Sequence, residues 1–351
     1  MTPHLPKKIS LGILFLFFNV TSFAAIQGMS FEHKDWELSC DNTGTCRAAG
    51  YQSDEDFESP VSVLLTRKAG ENMPVVAEVQ FGENEDNPNV HAQYELKING
   101  KSYGWVNNST ESSTLNPSQI KALLATAQRD ATVTFEAGKQ NFRLSGQGMS
   151  AVLLKMDEFQ KRLGTSSALI KKGQNTNQHV LQAEAKPIVV AQDVMQGKET
   201  QLLPKSEQAL KIIRLLKPTT NTDDCPTLFG ESDYFESDRV VITPITSELS
   251  IVHHPCWSGA YNFGTGVWVM NKKLTQVKQL VSTSISDESD NQLFENHKGR
   301  GIGDCWSQNE WTWNGQRYVQ TLDSTTGMCK GFAGGAWSLP TVIVEVKGLK
   351  Q

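Results

Sequence analysis

The sequence predicts a β-rich α+β fold, with two disulfide-stapled antiparallel β domains and a few packed helices. Short runs rich in β-branched residues recur along the 351-residue chain, and turn dipeptides such as Asn99-Gly100 separate them. The six cysteines also occur as three close pairs. A chain of this length, with 38% hydrophobic and 20% charged residues, is expected to form two globular domains.

The N-terminus predicts export. Lys7 and Lys8 precede an almost wholly apolar run over residues 9–18, and small residues precede a predicted cleavage site after Ala24. This arrangement is typical of a signal peptide, here residues 1–24. The alternative is an N-terminal membrane anchor, but the run is far shorter than the roughly 20 residues that span a bilayer. We therefore expect no stable membrane insertion after cleavage.

Residues 25–172 form the predicted N-terminal domain. Strands are expected at 36–40, 46–49, 61–66, 75–81, 94–98, 101–105 and within a hairpin over 133–144. Asn116 is a predicted helix N-cap, with Pro117 at the first helical position. Apolar residues at helical spacing predict a second helix over 149–159.

Residues 173–204 are predicted to be an interdomain linker, because polar residues dominate there, with a short strand at 188–190. The C-terminal domain, residues 205–351, opens with a helix over 206–216. Its strands are expected at 239–243, 249–253, 267–270, 279–284, 311–320 and 341–346. Asn314-Gly315 predicts a type I′ hairpin, which would place Trp311 opposite Tyr318.

The cysteines predict three local disulfides. Proximity pairs Cys40 with Cys46, Cys225 with Cys256 and Cys305 with Cys329. The alternative, a zinc site, lacks a C-x-x-C pair and suitably spaced histidines. We expect no metal and no cofactor.

Charge and aromatic content predict the class of partner. The net charge of −5 gives no basic footprint, so nucleic acid is excluded as a partner. The candidate ligand-binding residues are Trp311, Trp313, Gln316, Tyr318 and Arg300. Flat aromatic faces beside polar groups suit a glycan or a partner protein. The alternative is that these indoles pack on disulfides in a β core.

The densest titratable cluster comprises Glu295, His297, Arg300, Asp304 and Cys305. His297 could act as a general base and Cys305 as a nucleophile, which makes the Glu295–Asp304 loop a candidate hydrolase site. A disulfide-bonded cysteine cannot attack a substrate, however, and no catalytic residue is assigned.

Two further polar groups are interpreted as ordinary polar residues with no metal-binding role. His253 and His254 are adjacent, so on a strand they would point to opposite faces. Asp287, Ser289 and Asn291 form only a fragment of a calcium loop, because the required Gly and Glu are missing.

Four separated motifs carry a family resemblance. They span residues 31–46, 299–306, 311–315 and 329–332. In this order they resemble the bacterial domain-of-unknown-function 1176 proteins, and the region 31–172 is also similar to the invasion-associated locus B proteins. The resemblance implies a periplasmic protein of a Gram-negative bacterium and brings no catalytic residues.

We therefore expect a non-catalytic binding or interaction module of the cell envelope, with an envelope protein or a glycan as its partner. Two alternatives stay open. One is an envelope hydrolase that uses the Glu295–Asp304 loop, and the other is an inhibitor or immunity-type protein.

Overall fold

The computed structural model describes residues 25–82, 91–109, 112–195, 197–230 and 239–349. The predicted signal peptide, residues 1–24, lies outside this described part. Strands in antiparallel sheets dominate, and four α-helices pack on them. The predicted β-rich α+β fold is confirmed.

The N-terminal half, residues 25–172, contains two antiparallel sheets. Their strands are β1 (Met29–His33), β2 (Trp36–Cys40), β3 (Cys46–Tyr51), β4 (Val61–Arg67), β5 (Val75–Phe81), β6 (Gln93–Ile98), β7 (Lys101–Asn107), β8 (Ser113–Thr114), β9 (Val133–Ala137) and β10 (Gln140–Leu144). The sheet orders are β1-β2-β3-β4-β5-β8 and β10-β9-β6-β7. Asn99 and Gly100 both adopt positive φ between β6 and β7, which is the conformation that the type I′ prediction requires.

Two helices, α1 (Pro117–Leu124) and α2 (Met149–Phe159), complete this half. The Asn116 side chain accepts hydrogen bonds from the Ser118 and Gln119 amides, and the Gln119 side chain accepts one from the Asn116 amide. This reciprocal capping box fixes the start of α1 where the sequence predicts it. Helix α2 packs on β1, β2 and β3 and buries Val152 and Leu153 in the core.

The segment 173–204 forms backbone hydrogen bonds with strands of the C-terminal half. It contributes β11 (Ile188–Val190) and β12 (Thr200–Gln201). The first pairs in parallel with β22 (Glu345–Lys347), and the second joins the edge of a C-terminal sheet. The Gln192 amide also donates to the Trp313 carbonyl. The division of the chain into domains at this segment stays a prediction.

The C-terminal half, residues 205–349, forms two five-stranded antiparallel sheets, one of which includes β12 of the preceding segment. Its elements are α3 (Glu207–Leu216), α4 (Pro226–Phe229), β13 (Val241–Pro244), β14 (Leu249–Ser258), β15 (Phe263–Asn271), β16 (Val277–Ile285), β17 (Asp287–Ser289), β18 (Gln292–Lys298), β19 (Trp306–Trp313), β20 (Tyr318–Thr325) and β21 (Leu339–Ile343). The sheet orders are β12-β13-β14-β15-β16 and β17-β18-β19-β20-β21. Ile251, Val269, Leu293 and Trp313 belong to the core between these sheets.

The hairpin between β19 and β20 differs from its prediction. Trp313, not Trp311, lies opposite Tyr318, and Trp311 lies opposite Gln320. The Asn314 side chain accepts hydrogen bonds from the Gln316 and Arg317 amides at 3.0 and 2.9 Å. This side chain stabilises a four-residue loop over 314–317 instead of a two-residue type I′ turn, so the predicted register is wrong.

All three predicted disulfides are present: Cys40–Cys46, Cys225–Cys256 and Cys305–Cys329. The third anchors residues 326–337, which we call the clasp loop because it packs on the N-terminal half. Within it, Lys330 contacts Asp35 at 3.0 Å and Asp54 at 2.6 Å. Trp337 donates to Ser62 across the same interface.

Among the described residues, no helix combines the length and the apolar character needed to cross a membrane.

Candidate functional site

A cleft opens between the two sheets of the C-terminal half. It contains two cavities, one of about 370 Å³ (cavity A) and one of about 270 Å³ (cavity B). Glu199, Arg239, Thr265 and Asp287 line cavity A, and Ile251, Asp290, Leu293 and Tyr318 line cavity B. His253 and Glu288 line both cavities, so this pair forms the partition between them.

The partition links the two sheets. Strand β14 carries His253 and β17 carries Glu288, and the His253 Nε2 lies 3.0 Å from the Glu288 Oε2. Side-chain alternation along β14 turns His254 to the other face, where it is buried and its Nδ1 lies 2.6 Å from the Pro255 carbonyl oxygen. The hydrogen bond from His253 lowers the pKa of the Glu288 carboxyl group. Glu288 is therefore an ionised acceptor at neutral pH.

Tyr318 has a hydroxyl group without a hydrogen-bond partner among the described residues. It is the first residue of β20, and Gln279 fixes its backbone by accepting from its amide and donating to its carbonyl. The ring packs on Trp313 at a centroid distance of 5.3 Å, and only 4% of the residue is exposed. Burial, with a smaller effect from the charge of Glu288, raises the phenol pKa well above its ordinary value. The hydroxyl group is thus neutral, and its residue lines cavity B.

Carboxylates outnumber cations around the cleft. Glu199, Asp287 and Glu288 line cavity A, together with a single guanidinium from Arg239. Neither Glu199 nor Arg239 forms an ion pair with any residue that the structure describes. Asp290 adds a fourth carboxylate in cavity B. The cleft therefore combines carboxylates of net negative charge with neutral hydroxyl groups, among them that of Tyr318.

The structure does not bring the predicted ligand-binding residues together. Trp313 is fully buried, Trp311 is half-buried in the same core, and Gln316 is exposed in the hairpin loop. Tyr318 is the member of this set that lines a cavity of the cleft. A ligand-binding role for the whole set stays a prediction.

Arg300 follows the end of β18 that is remote from the β19–β20 hairpin. Lys298 pairs with Trp306 at that end, whereas the tryptophans of the hairpin lie at the other. The Arg300 guanidinium donates to the Asp304 carboxylate and stacks over Phe57 at 5.4 Å. The Arg300 side chain therefore stabilises the 299–304 loop where it contacts the N-terminal half.

The groups of the Glu295–Asp304 loop are engaged in structural contacts. Glu295 accepts hydrogen bonds from Ser282 and Asn309. The His297 ring packs against Trp257 at 5.0 Å. In the described part of the chain, one group could bring three metal-ligating atoms together, namely Asp304, Cys305 and Cys329. Its two sulfur atoms form a disulfide and cannot bind a metal as thiolates.

Sequence reasoning missed the partition. From the sequence, His253 is interpreted as an ordinary polar histidine, because side chains alternate between the two faces of a strand and His254 therefore points the other way. This alternation does not identify the residue that His253 contacts. Glu288 lies 35 residues further along, on a strand of the other sheet. Only the packing of the two sheets brings these side chains together, so no local sequence pattern could have indicated the pair.

Comparisons with known proteins give one family. The family described as "Protein of unknown function (DUF1176)" matches residues 30–344. The uncharacterized protein YpfG of Escherichia coli (strain K12) is 25% identical over 347 residues, which cover 86% of this chain and 90% of that protein. No solved structure matches. The similarity to invasion-associated locus B proteins stays a prediction, whereas the motifs at 31–46 and 299–332 fall inside the matched region, and the chain belongs to the DUF1176 family.

Proposed function

We propose that this chain is an exported cell-envelope protein that binds a small polar ligand in the cleft of its C-terminal half, without catalysis. The observation that carries the proposal is the Tyr318 hydroxyl group, which lacks a partner among the described residues and belongs to a residue lining cavity B beside Glu288. The hydroxyl group reaches solvent in the cleft, and a ligand in the cavity would supply a hydrogen-bond partner in place of water.

Export to the periplasm is supported by the disulfides and by the predicted signal peptide. All six cysteines are paired, and disulfides persist in oxidising compartments. The cleft stays available to small molecules because its carboxylates lie at the surface: more than half of the Glu288 side chain is exposed.

Binding is favoured over the hydrolase alternative. His297, Asp304 and Cys305 are engaged in contacts that hold the loop in place. General-base catalysis requires a group within hydrogen-bonding reach of a reacting proton, and these groups contact other parts of the protein instead.

Ligand binding can be tested with the mature chain and the low-molecular-weight fraction of a periplasmic extract. Thermal unfolding reports binding, because a ligand at 100 times its dissociation constant stabilises a protein by about 2.7 kcal/mol. Thr243→Trp would fill cavity B, and Glu248→Ala, in an exposed turn outside the linings of both cavities, is the control. We expect stabilisation by the extract to disappear in the first variant and to persist in the second.

The proposal fails if a folded Thr243→Trp variant is stabilised as much as the wild type. Because a tryptophan at this position could disturb β13, Tyr318→Phe provides a second variant of nearly unchanged shape. Circular dichroism establishes that both variants keep the native strand content.

A further inference from the structure

We infer that the ligand is a linear aliphatic amine with two or more ammonium groups, one held in each cavity. This inference rests on the proposed function and specifies the ligand class of the same cleft. Three features support it: the acceptors in cavity B, the excess of carboxylates in cavity A, and the apolar residues that line each cavity beside the shared His253–Glu288 pair.

Cavity B has the acceptors that an ammonium group requires. A primary ammonium offers three N–H donors and no acceptor. Glu288 and Asp290 supply carboxylate oxygens, and the Tyr318 hydroxyl oxygen supplies a neutral acceptor. The raised pKa keeps this hydroxyl group protonated, so it adds no further charge that would need compensation. A cation in this cavity would satisfy a group that has no partner among the described residues.

Cavity A favours a second cation. Three carboxylates line it, from Glu199, Asp287 and Glu288, against one guanidinium from Arg239. A dianionic ligand would face repulsion from these carboxylates. A neutral ligand would displace water from the charged groups without compensating their charge, which costs free energy. A second ammonium group fits the net negative charge of this lining.

The position of the partition favours a linear, flexible ligand that reaches from one cavity to the other. His253 and Glu288 line both cavities, so a molecule that occupies both must pass beside their side chains. Apolar surface is available to a methylene chain from Val241 in cavity A and Ile251 in cavity B.

Titration calorimetry with three compounds of the same length tests this inference. The compounds are 1,4-diaminobutane, 1,4-butanediol and succinate, each added to the disulfide-bonded mature chain. We expect binding of the diamine alone, with an affinity that falls as sodium chloride is raised, because salt screens the charge interaction. The longer triamine spermidine should bind at least as tightly as the diamine.

Variants locate the binding to the cleft. Glu288→Gln should weaken diamine binding at least tenfold, and Tyr318→Phe should weaken it several-fold. Glu248→Gln is the matched control, since Glu248 is an exposed carboxylate in the β13–β14 turn and lies outside the linings of both cavities. This control should bind the diamine like the wild type.

Three results would overturn the inference. One is the absence of diamine binding to the folded wild type, and another is diamine binding that Glu288→Gln and Tyr318→Phe leave unchanged. The third is tighter binding of the diol or of succinate that the cleft variants weaken. That third result would refute the amine while leaving the proposed binding function intact, whereas loss of all cleft-dependent binding, including that from the extract, would refute both.

Discussion

A buried charge cluster in the N-terminal half contrasts with the cleft of the C-terminal half. In the cluster, the fully buried Arg162 donates to the Gly70 carbonyl at 2.6 Å and to the Gln160 side chain at 2.9 Å. Asp157 accepts hydrogen bonds from the Leu169 and Ile170 amides. These charges hold neighbouring loops against the first sheet, so their role is structural.

The cleft contains the same kinds of groups in a different state. Glu288 accepts one hydrogen bond from His253 and stays more than half exposed, and the Tyr318 hydroxyl group has no partner among the described residues. Residue type therefore does not separate a structural polar cluster from a candidate site. What separates them is access to solvent: Arg162 and Asp157 are fully buried, whereas the Glu288 carboxylate is more than half exposed and lines both cavities.

The largest effect is expected in the charge cluster. Arg162→Met removes the donors to the Gly70, Glu71 and Lys68 carbonyls and leaves Asp157 with one cation fewer nearby. Breaking a buried charge network typically costs about 3–5 kcal/mol. Urea denaturation should show a decrease of this size in the free energy of unfolding. A decrease below about 1 kcal/mol would contradict the structural role.

Removal of the Cys305–Cys329 disulfide tests how strongly the clasp loop connects the N-terminal half to the C-terminal half. Cys305→Ser combined with Cys329→Ser opens a loop with a sequence separation of 24 and frees the segment that carries Lys330 and its ion pairs with Asp35 and Asp54. Chain entropy predicts a loss of about 3–4 kcal/mol. Cys40→Ser combined with Cys46→Ser is the matched control, with a separation of 6 and an expected loss of about 2–3 kcal/mol.

Thermal unfolding of both double variants measures the difference. If the clasp variant lost less stability than the control, the clasp loop would not hold the halves together. Equal losses would also contradict this role, because the contacts of the clasp loop with Asp35 and Ser62 add to the effect of loop closure.

Tyr318→Phe gives the sharpest contrast with Arg162→Met. The hydroxyl group that it removes makes no hydrogen bond within the described residues, so the free energy of unfolding should change by less than about 1 kcal/mol. Ligand binding should nevertheless weaken. A loss of stability above about 2 kcal/mol would indicate that the hydroxyl group is structural. The measurement is urea denaturation of the variant and the wild type without ligand.

Local sequence signals predicted the elements better than the site. Asn116 and Pro117 start a helix because a capping box is a property of neighbouring residues. The disulfides followed from proximity along the chain. The register opposite Tyr318 was predicted wrongly, since the Asn314 side chain lengthens the turn. The cleft could not be predicted, because His253 and Glu288 meet only when two sheets pack.

The smallest expected effect is the pH dependence of the stability that the His253–Glu288 hydrogen bond contributes. The folded protein lowers the pKa of Glu288 below its ordinary value of 4.5, so near that pH the unfolded chain binds more protons than the folded one. Stability from this group is therefore present above pH 4.5 and is lost as the pH falls through the lowered pKa. Because the carboxylate is more than half exposed, solvent screening limits the effect to about 0.5 kcal/mol.

Comparing the wild type with Glu288→Gln by urea denaturation from pH 7 to pH 3 measures this effect. The difference in the free energy of unfolding should be largest near neutral pH and should shrink below pH 4.5, where the wild-type carboxylate also becomes neutral. A difference that is constant with pH would mean that the pair acts through its shape and not its charge. In that case the partition would resemble the structural cluster around Arg162, and the contrast between the two regions would disappear.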